Sequence, residues 1–123
     1  MAKVLIVDDE EPVLELMTAF LEYDNHVVAS AGTVAQAQAE YQRFDPDLVV
    51  TDVNMPDGTG PDLLTWLWTR NSKAKVVLMS GSYGPEIDAL AREVGAAAGL
   101  AKPFLSSGLI ELTDRLMGRP CIS

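Results

Sequence analysis

The chain has 123 residues, 48% hydrophobic and 22% charged, which is the composition of a single globular domain large enough to bury a core without disulfides or metal staples. Its formal net charge of -9 argues against direct binding to nucleic acid or anionic membrane and favours metal ions or basic partner surfaces. No window approaches the roughly 18–20 apolar residues of a membrane span. The opening "MAKVLIVDDE" lacks the apolar core and cleavage site of a signal peptide, so a cytoplasmic location is expected. Cys121, the single cysteine, excludes a disulfide framework and reads as a tail residue.

The first apolar run, "KVLIV" (3–7), is β-branched and continuous, as expected of a strand covered on both faces. Four acids follow it directly: Asp8, Asp9, Glu10 and Glu11. Pro12 suits a helix's first turn, and Val13, Leu16, Met17, Phe20 and Leu21 recur at helical spacing. A second strand, "HVVAS" (26–30), leads to Thr33, which predicts an N-cap for a helix running to about Phe44. A third strand, "DLVVT" (47–51), ends at Asp52 and the loop "VNMPDGTG", after which Pro61 opens a third helix. In that helix Leu63, Leu64 and Leu67 form the inward face, with Trp66 and Trp68 on opposite flanks, either wrapping the core edge or forming a docking or dimer patch. The fourth strand, "KVVLM" (75–79), precedes Ser80 and Gly81, and Pro85 opens the fourth helix. Last come a weak strand, "AGLA" (98–101), the run "KPF" (102–104), and a fifth helix capped by Ser106 or Ser107.

Five strands alternating with five helices predict an α/β fold, a doubly wound five-stranded parallel sheet with helices on both faces. The chain reads as one domain over 1–123, with a core of about 2–118 and a short tail at 119–123. In such sheets the site lies beyond the carboxyl ends of the strands. With the strand order 2-1-3-4-5, Asp8, Asp9 and Asp52 converge, flanked by Ser80 and Lys102. Carboxylates crowded in one cleft repel unless a cation neutralises them, and Mg²⁺ or Mn²⁺ suits such an oxygen-donor set. A lysine adds fixed positive charge, and a hydroxyl followed by glycine leaves room for a tetrahedral anion. The set suits transfer of a phosphoryl group onto a carboxylate.

"VDD", "DVNMPDGTG", "MSG" and "KPF", each at the end of its own strand, resemble the receiver domain of bacterial response regulators, a CheY-like, flavodoxin-like fold. The resemblance covers essentially the whole chain. It implies that Asp52 is the phosphoacceptor, attacking a phosphohistidine on a histidine kinase or phosphotransfer protein. Asp8 and Asp9 would be the acidic pair, Asp9 binding magnesium directly and Asp8 through water, with the Asn54 main-chain carbonyl a further ligand. Ser80 would be the switch hydroxyl, and Lys102 the counter-ion, its reach set by the peptide bond before Pro103. Gly60 would permit the turn before the third helix, and Gly81 would leave access for the phosphoryl group. Asn54 and Ser82 would tune the lifetime of the acyl phosphate, and both are small and polar, which implies a short one. Such a protein is not an enzyme beyond its own phosphorylation and dephosphorylation. It signals by contact with a downstream protein, and a phosphorylation-dependent dimer fits the same scheme.

The chain departs from the family pattern at Gly99, where receivers usually carry an aromatic residue that couples to the switch hydroxyl. Tyr83, just after the switch serine, is a candidate substitute. Glu10 and Glu11 read as first-turn acids that favour the helix dipole. His26, the sole histidine, sits at the far end of the second strand and reads as structural or solvated, which argues against a histidine-based metal or catalytic site. A flavodoxin-like cofactor binder needs a hydroxyl- and glycine-rich phosphate loop where this chain has acids. An aspartate-nucleophile hydrolase of the haloacid dehalogenase type needs a second acid that "DVNMP" lacks. A receiver excised from a hybrid kinase or a DNA-binding regulator has the same chemistry as a stand-alone one.

Overall fold

The computed structural model describes residues 3–70, 75–80, 86–101 and 106–116. Lys3–Val7 forms β1, and its four apolar residues are all buried, as a strand covered on both faces requires. Along the chain follow α1 (Glu11–Tyr23), β2 (Val27–Ala31), α2 (Val34–Phe44), β3 (Leu48–Asp52), β4 (Asn54–Met55), β5 (Gly58–Thr59) and α3 (Gly60–Arg70). Next come β6 (Lys75–Ser80), α4 (Ile87–Val94), β7 (Ala98–Ala101) and α5 (Ser106–Leu116). The main sheet has five parallel strands in the order β2-β1-β3-β6-β7, which is the predicted 2-1-3-4-5 order. β4 and β5 are a two-residue antiparallel hairpin that the sequence pattern does not announce.

Strand alternation sends side chains to two separate core layers. Leu5, Val49, Val76 and Leu78 pack with residues of α2, α3 and α4. On the other face, Val4, Ile6, Val50, Val77 and Met79 pack with Met17 and Leu21 of α1 and Leu109 and Leu112 of α5. Among the described residues no helix is long and apolar enough to cross a membrane.

Several boundaries move by a residue. β2, β3 and β6 run to Ala31, Asp52 and Ser80, one residue beyond the apolar runs, because ladder bonds use backbone groups and tolerate a polar side chain at the end. α3 begins at Gly60 rather than Pro61. α4 begins at Ile87, and Pro85 lies outside the described residues. Thr33 caps α2 as expected, its Oγ1 accepting from the Gln36 N–H at 3.1 Å. Glu10 is the N-cap residue of α1 but makes no side-chain cap, and Glu11 is the first-turn acid.

Trp66 and Trp68 are half-buried against the α2–α3–α4 layer, so they wrap the core edge. The Trp66 ring meets Tyr41 edge-to-face at 6.0 Å, and the Arg70 guanidinium lies over it at 3.9 Å. Trp68 closes over Gly95, the residue that ends α4 with a φ of 83°. A Cβ at Gly95 would stand 2.5 Å from the Trp68 ring. Among the described residues the large apolar side chains that are exposed are instead Leu16, Tyr23 and Val27. Gly95→Ala combines a left-handed backbone with a clash, and should cost about 1–3 kcal/mol in urea unfolding. An unchanged unfolding midpoint would contradict this packing.

Candidate phosphoryl-acceptor and metal site

Asp8 and Asp52 both continue the face of the sheet that α1 and α5 cover. Asp8 extends the Val4–Ile6 alternation of β1, and Asp52 that of Leu48 and Val50 in β3. Since β1 and β3 are neighbours in parallel register, the two acids leave the sheet side by side. With Asp9 they form a cluster in which one carboxylate oxygen from each lies within 4.8 Å of the others. Asp8 is fully buried and Asp52 nearly so, while Asp9 is exposed. Unit charges about 4 Å apart repel by ~4 kcal/mol at an effective dielectric of about 20, so a cation between such acids is favoured.

The surrounding backbone holds them in place. The Asp8 N–H donates to the Ala31 carbonyl at 3.1 Å, extending the β1–β2 ladder past the last apolar residue. Asp8 Oδ1 accepts from the Glu10 N–H at 2.9 Å, so this acid also orders the start of α1. At Asp52 the backbone is in register with Met79, and Oδ1 lies 3.5 Å from the Asn54 N–H, a long contact. Ser80 is buried at the end of β6, one residue farther along than that Asp52–Met79 pair. A cleft of about 640 Å³ opens beside Asp8 and Asp9, bounded by Glu11 and Glu15 of α1 and by Gly32 and Gln36.

Gly60 is needed for a different reason from the expected turn. Its φ is not positive, but a Cβ there would meet the Asp52 carbonyl oxygen at 2.7 Å and Leu78 Cδ2 at 3.0 Å. The Gly60 N–H also donates to the Val53 carbonyl at 2.7 Å. Close approach of α3 to the strand that carries Asp52 is what excludes a side chain.

The structure thus brings together Asp8, Asp9 and Asp52, sets Asn54 beside them and places Ser80 on the adjoining strand end. Gly81, Ser82, Tyr83, Lys102, Pro103 and Cys121 lie outside the described residues. Gly99 sits in β7 opposite Leu78, so no aromatic ring stands at that position.

Sequence reasoning missed Asp57. From the β4–β5 turn its carboxylate accepts from the Val34 N–H at 2.7 Å and the Ala35 N–H at 3.0 Å, tying the loop after Asp52 to the start of α2. No local pattern announces a cap supplied from 23 residues away. Of the two readings of His26, structural or solvated, the structural one holds, since it is buried, but its acidic partners were not foreseen. Its Nε2 is 3.1 Å from Asp24 Oδ2 and 3.1 Å from Asp114 Oδ1.

Residues 4–114 match the family model for the response regulator receiver domain. The chain is 32% identical to protein CcdB of Bacillus subtilis, with 96% of this chain and 99% of that protein covered. It is 30% identical to chemotaxis protein CheY of Listeria monocytogenes, over 94% of this chain and 98% of that one. The fold superposes on the crystal structure of a response regulator receiver domain protein from Clostridium thermocellum with a TM-score of 0.88. The two are 26% identical, with 96% of this chain and 95% of that one covered.

The backbone N–H groups of Val34 and Ala35 hold the Asp57 carboxyl below its ordinary value. A lowered folded-state value stabilises the fold above the unfolded value and is lost as pH falls through the folded one. Asp57→Asn should therefore melt below the wild type near neutral pH. The gap should close as pH drops below the ordinary carboxylate value of about 3.9. A gap that does not change with pH would show that the charge contributes nothing.

Proposed function

Because this chain belongs to the response regulator receiver domain family, we propose that it accepts a phosphoryl group on Asp52 and signals by phosphorylation-dependent protein contact. The observation that supports this best is the convergence of Asp8, Asp9 and Asp52 at the carboxyl edge of adjacent strands. Three oxygen donors at this separation fit a hard divalent cation, Mg²⁺ or Mn²⁺, with Asp9 the direct ligand, Asp8 acting through water and the Asn54 carbonyl a further ligand. When bound, that ion offsets the carboxylate charge and the charge that develops on the transferred group.

The residues of the chain divide the remaining work. An Asp52 carboxylate oxygen attacks the phosphorus of a phosphohistidine on a histidine kinase or phosphotransfer protein. The phosphorus–nitrogen bond breaks, and the imidazole leaves with a proton. Asp52 is nearly buried, which keeps its oxygen poorly hydrated. Ser80, on the next strand, is the hydroxyl that hydrogen-bonds the phosphoryl oxygens, and Lys102 supplies the counter-charge. Hydrolysis of the acyl phosphate returns the carboxylate, so the protein acts only on itself. Asn54 is exposed and small, and with Ser82 it leaves the phosphoryl group open to water, which favours a short lifetime.

With Gly99 in β7, the signal reaches a downstream protein or a second copy without the usual ring rotation. The charge of -9 suits a basic docking surface on the partner.

Incubation with acetyl phosphate and Mg²⁺ should give a labile phosphoryl adduct, detected by mass spectrometry of the intact protein. Asp52→Asn should abolish it. Asp9→Asn should weaken the Mg²⁺ requirement curve by at least about ten-fold, the scale on which even outer-shell partners act. An undiminished adduct in Asp52→Asn would remove this residue from the chemistry.

A further inference from the structure

At the opposite edge of the sheet, a second set of charged groups converges. Asp24 ends α1, His26 immediately precedes β2, and Asp114 projects from α5. One oxygen of each acid stands 3.1 Å from the same imidazole nitrogen, Nε2, and all three atoms lie within 4.8 Å of one another. The His26 side chain is fully buried, the Asp114 side chain is 8% exposed, and that of Asp24 is 24% exposed. Facing two carboxylates, Nε2 has either one N–H for two acceptors or a lone pair turned toward two anions. The three donor atoms are close enough for one divalent cation to take all of them as ligands.

We propose that Asp24, His26 and Asp114 form a second metal site, for Zn²⁺ or a similar borderline transition ion. Tetrahedral zinc with bonds of about 2.0–2.2 Å separates its ligand atoms by roughly 3.3–3.5 Å. The observed 3.1 Å spacings need only a small outward shift to reach that geometry. Partial exposure of Asp24 admits water to the fourth position. An imidazole donor selects zinc, nickel or copper, whereas the all-oxygen cluster of Asp8, Asp9 and Asp52 selects magnesium or manganese. The two edges of the sheet therefore sort metals by donor type. Metal at the second site ties three segments together, the end of α1, the start of β2 and α5, and so clamps α5 to the sheet.

The full chain, held in excess Mg²⁺, is titrated with Zn²⁺ by calorimetry, and Co²⁺ is added separately to read the visible absorption of a nitrogen-containing site. One Zn²⁺ equivalent is expected. His26→Gln should lower its affinity by about 100-fold or more, beyond the loss seen for outer-shell partners. Asp24→Asn, a change at the partly exposed ligand that leaves the packing intact, should lower it by about ten-fold. Asp9→Asn should leave it unchanged. Zn²⁺ should also raise the melting temperature of the wild type but not of His26→Gln. Overturning results are no bound equivalent, equal binding by wild type and Asp24→Asn, or binding lost in Asp9→Asn.

Discussion

Crowding of Asp8, Asp9 and Asp52 is the constraint around which this domain is arranged. Two of the three are almost wholly removed from water, yet their oxygens lie within 4.8 Å. A fold assembled for stability alone gains nothing by crowding like charges, because they repel one another. Here the parallel register of β1 and β3 forces them together, since residues that follow paired strands on one face emerge side by side. Burial of Val4, Ile6, Leu48 and Val50 on that face stabilises the sheet and so holds the arrangement against its own repulsion. Core packing and site geometry are thus one feature seen from two ends of the same strands.

How a chain tolerates this depends on what lies behind the acids. Gly60 lets α3 approach the Asp52 carbonyl so closely that any side chain would displace it. Asp57 fastens the loop between them to the first N–H groups of α2. Asp8 directs one oxygen to the Glu10 N–H, fixing the step from β1 into α1. Each contact uses a backbone group that a helix start or loop would otherwise leave to water. The positions of the acids are therefore set by backbone hydrogen bonding, which the acids' own charge does not oppose.

Much of this was legible in residue order. Continuous apolar runs located the five main strands, and the residue after each run marked the functional edge, because parallel strands covered on both faces have no polar alternation to obscure them. Thr33 was readable as a cap because its partner, Gln36, is three residues away. What escaped was non-local. Asp57 reaches a helix 23 residues upstream, and Asp114 reaches His26 from 88 residues downstream. The β4–β5 hairpin is too short to show a period. Gly60 looked like a turn glycine because the sequence does not reveal which backbone passes beside it.

The two charged clusters pose one electrostatic problem with different donors. At the carboxyl edge three oxygen donors meet with no nitrogen among them, whereas at the amino edge an imidazole stands between two carboxylates. Hard and borderline cations separate on that difference alone. The clusters also differ in what they connect. Asp8, Asp9 and Asp52 follow strands that are paired to each other, so a cation bound there would act on the loops that follow the sheet. Asp24 caps the end of α1 and Asp114 lies on α5 in one layer, so a cation bound there would act on how α1 and α5 pack. Because both clusters border the layer formed by Met17, Leu21, Leu109 and Leu112, a cation at either end bears on the same apolar contacts. If the amino-edge site binds metal, tightening that layer would resist any movement of α5 that a change at Asp52 requires, and the two sites would then be coupled through packing rather than through charge.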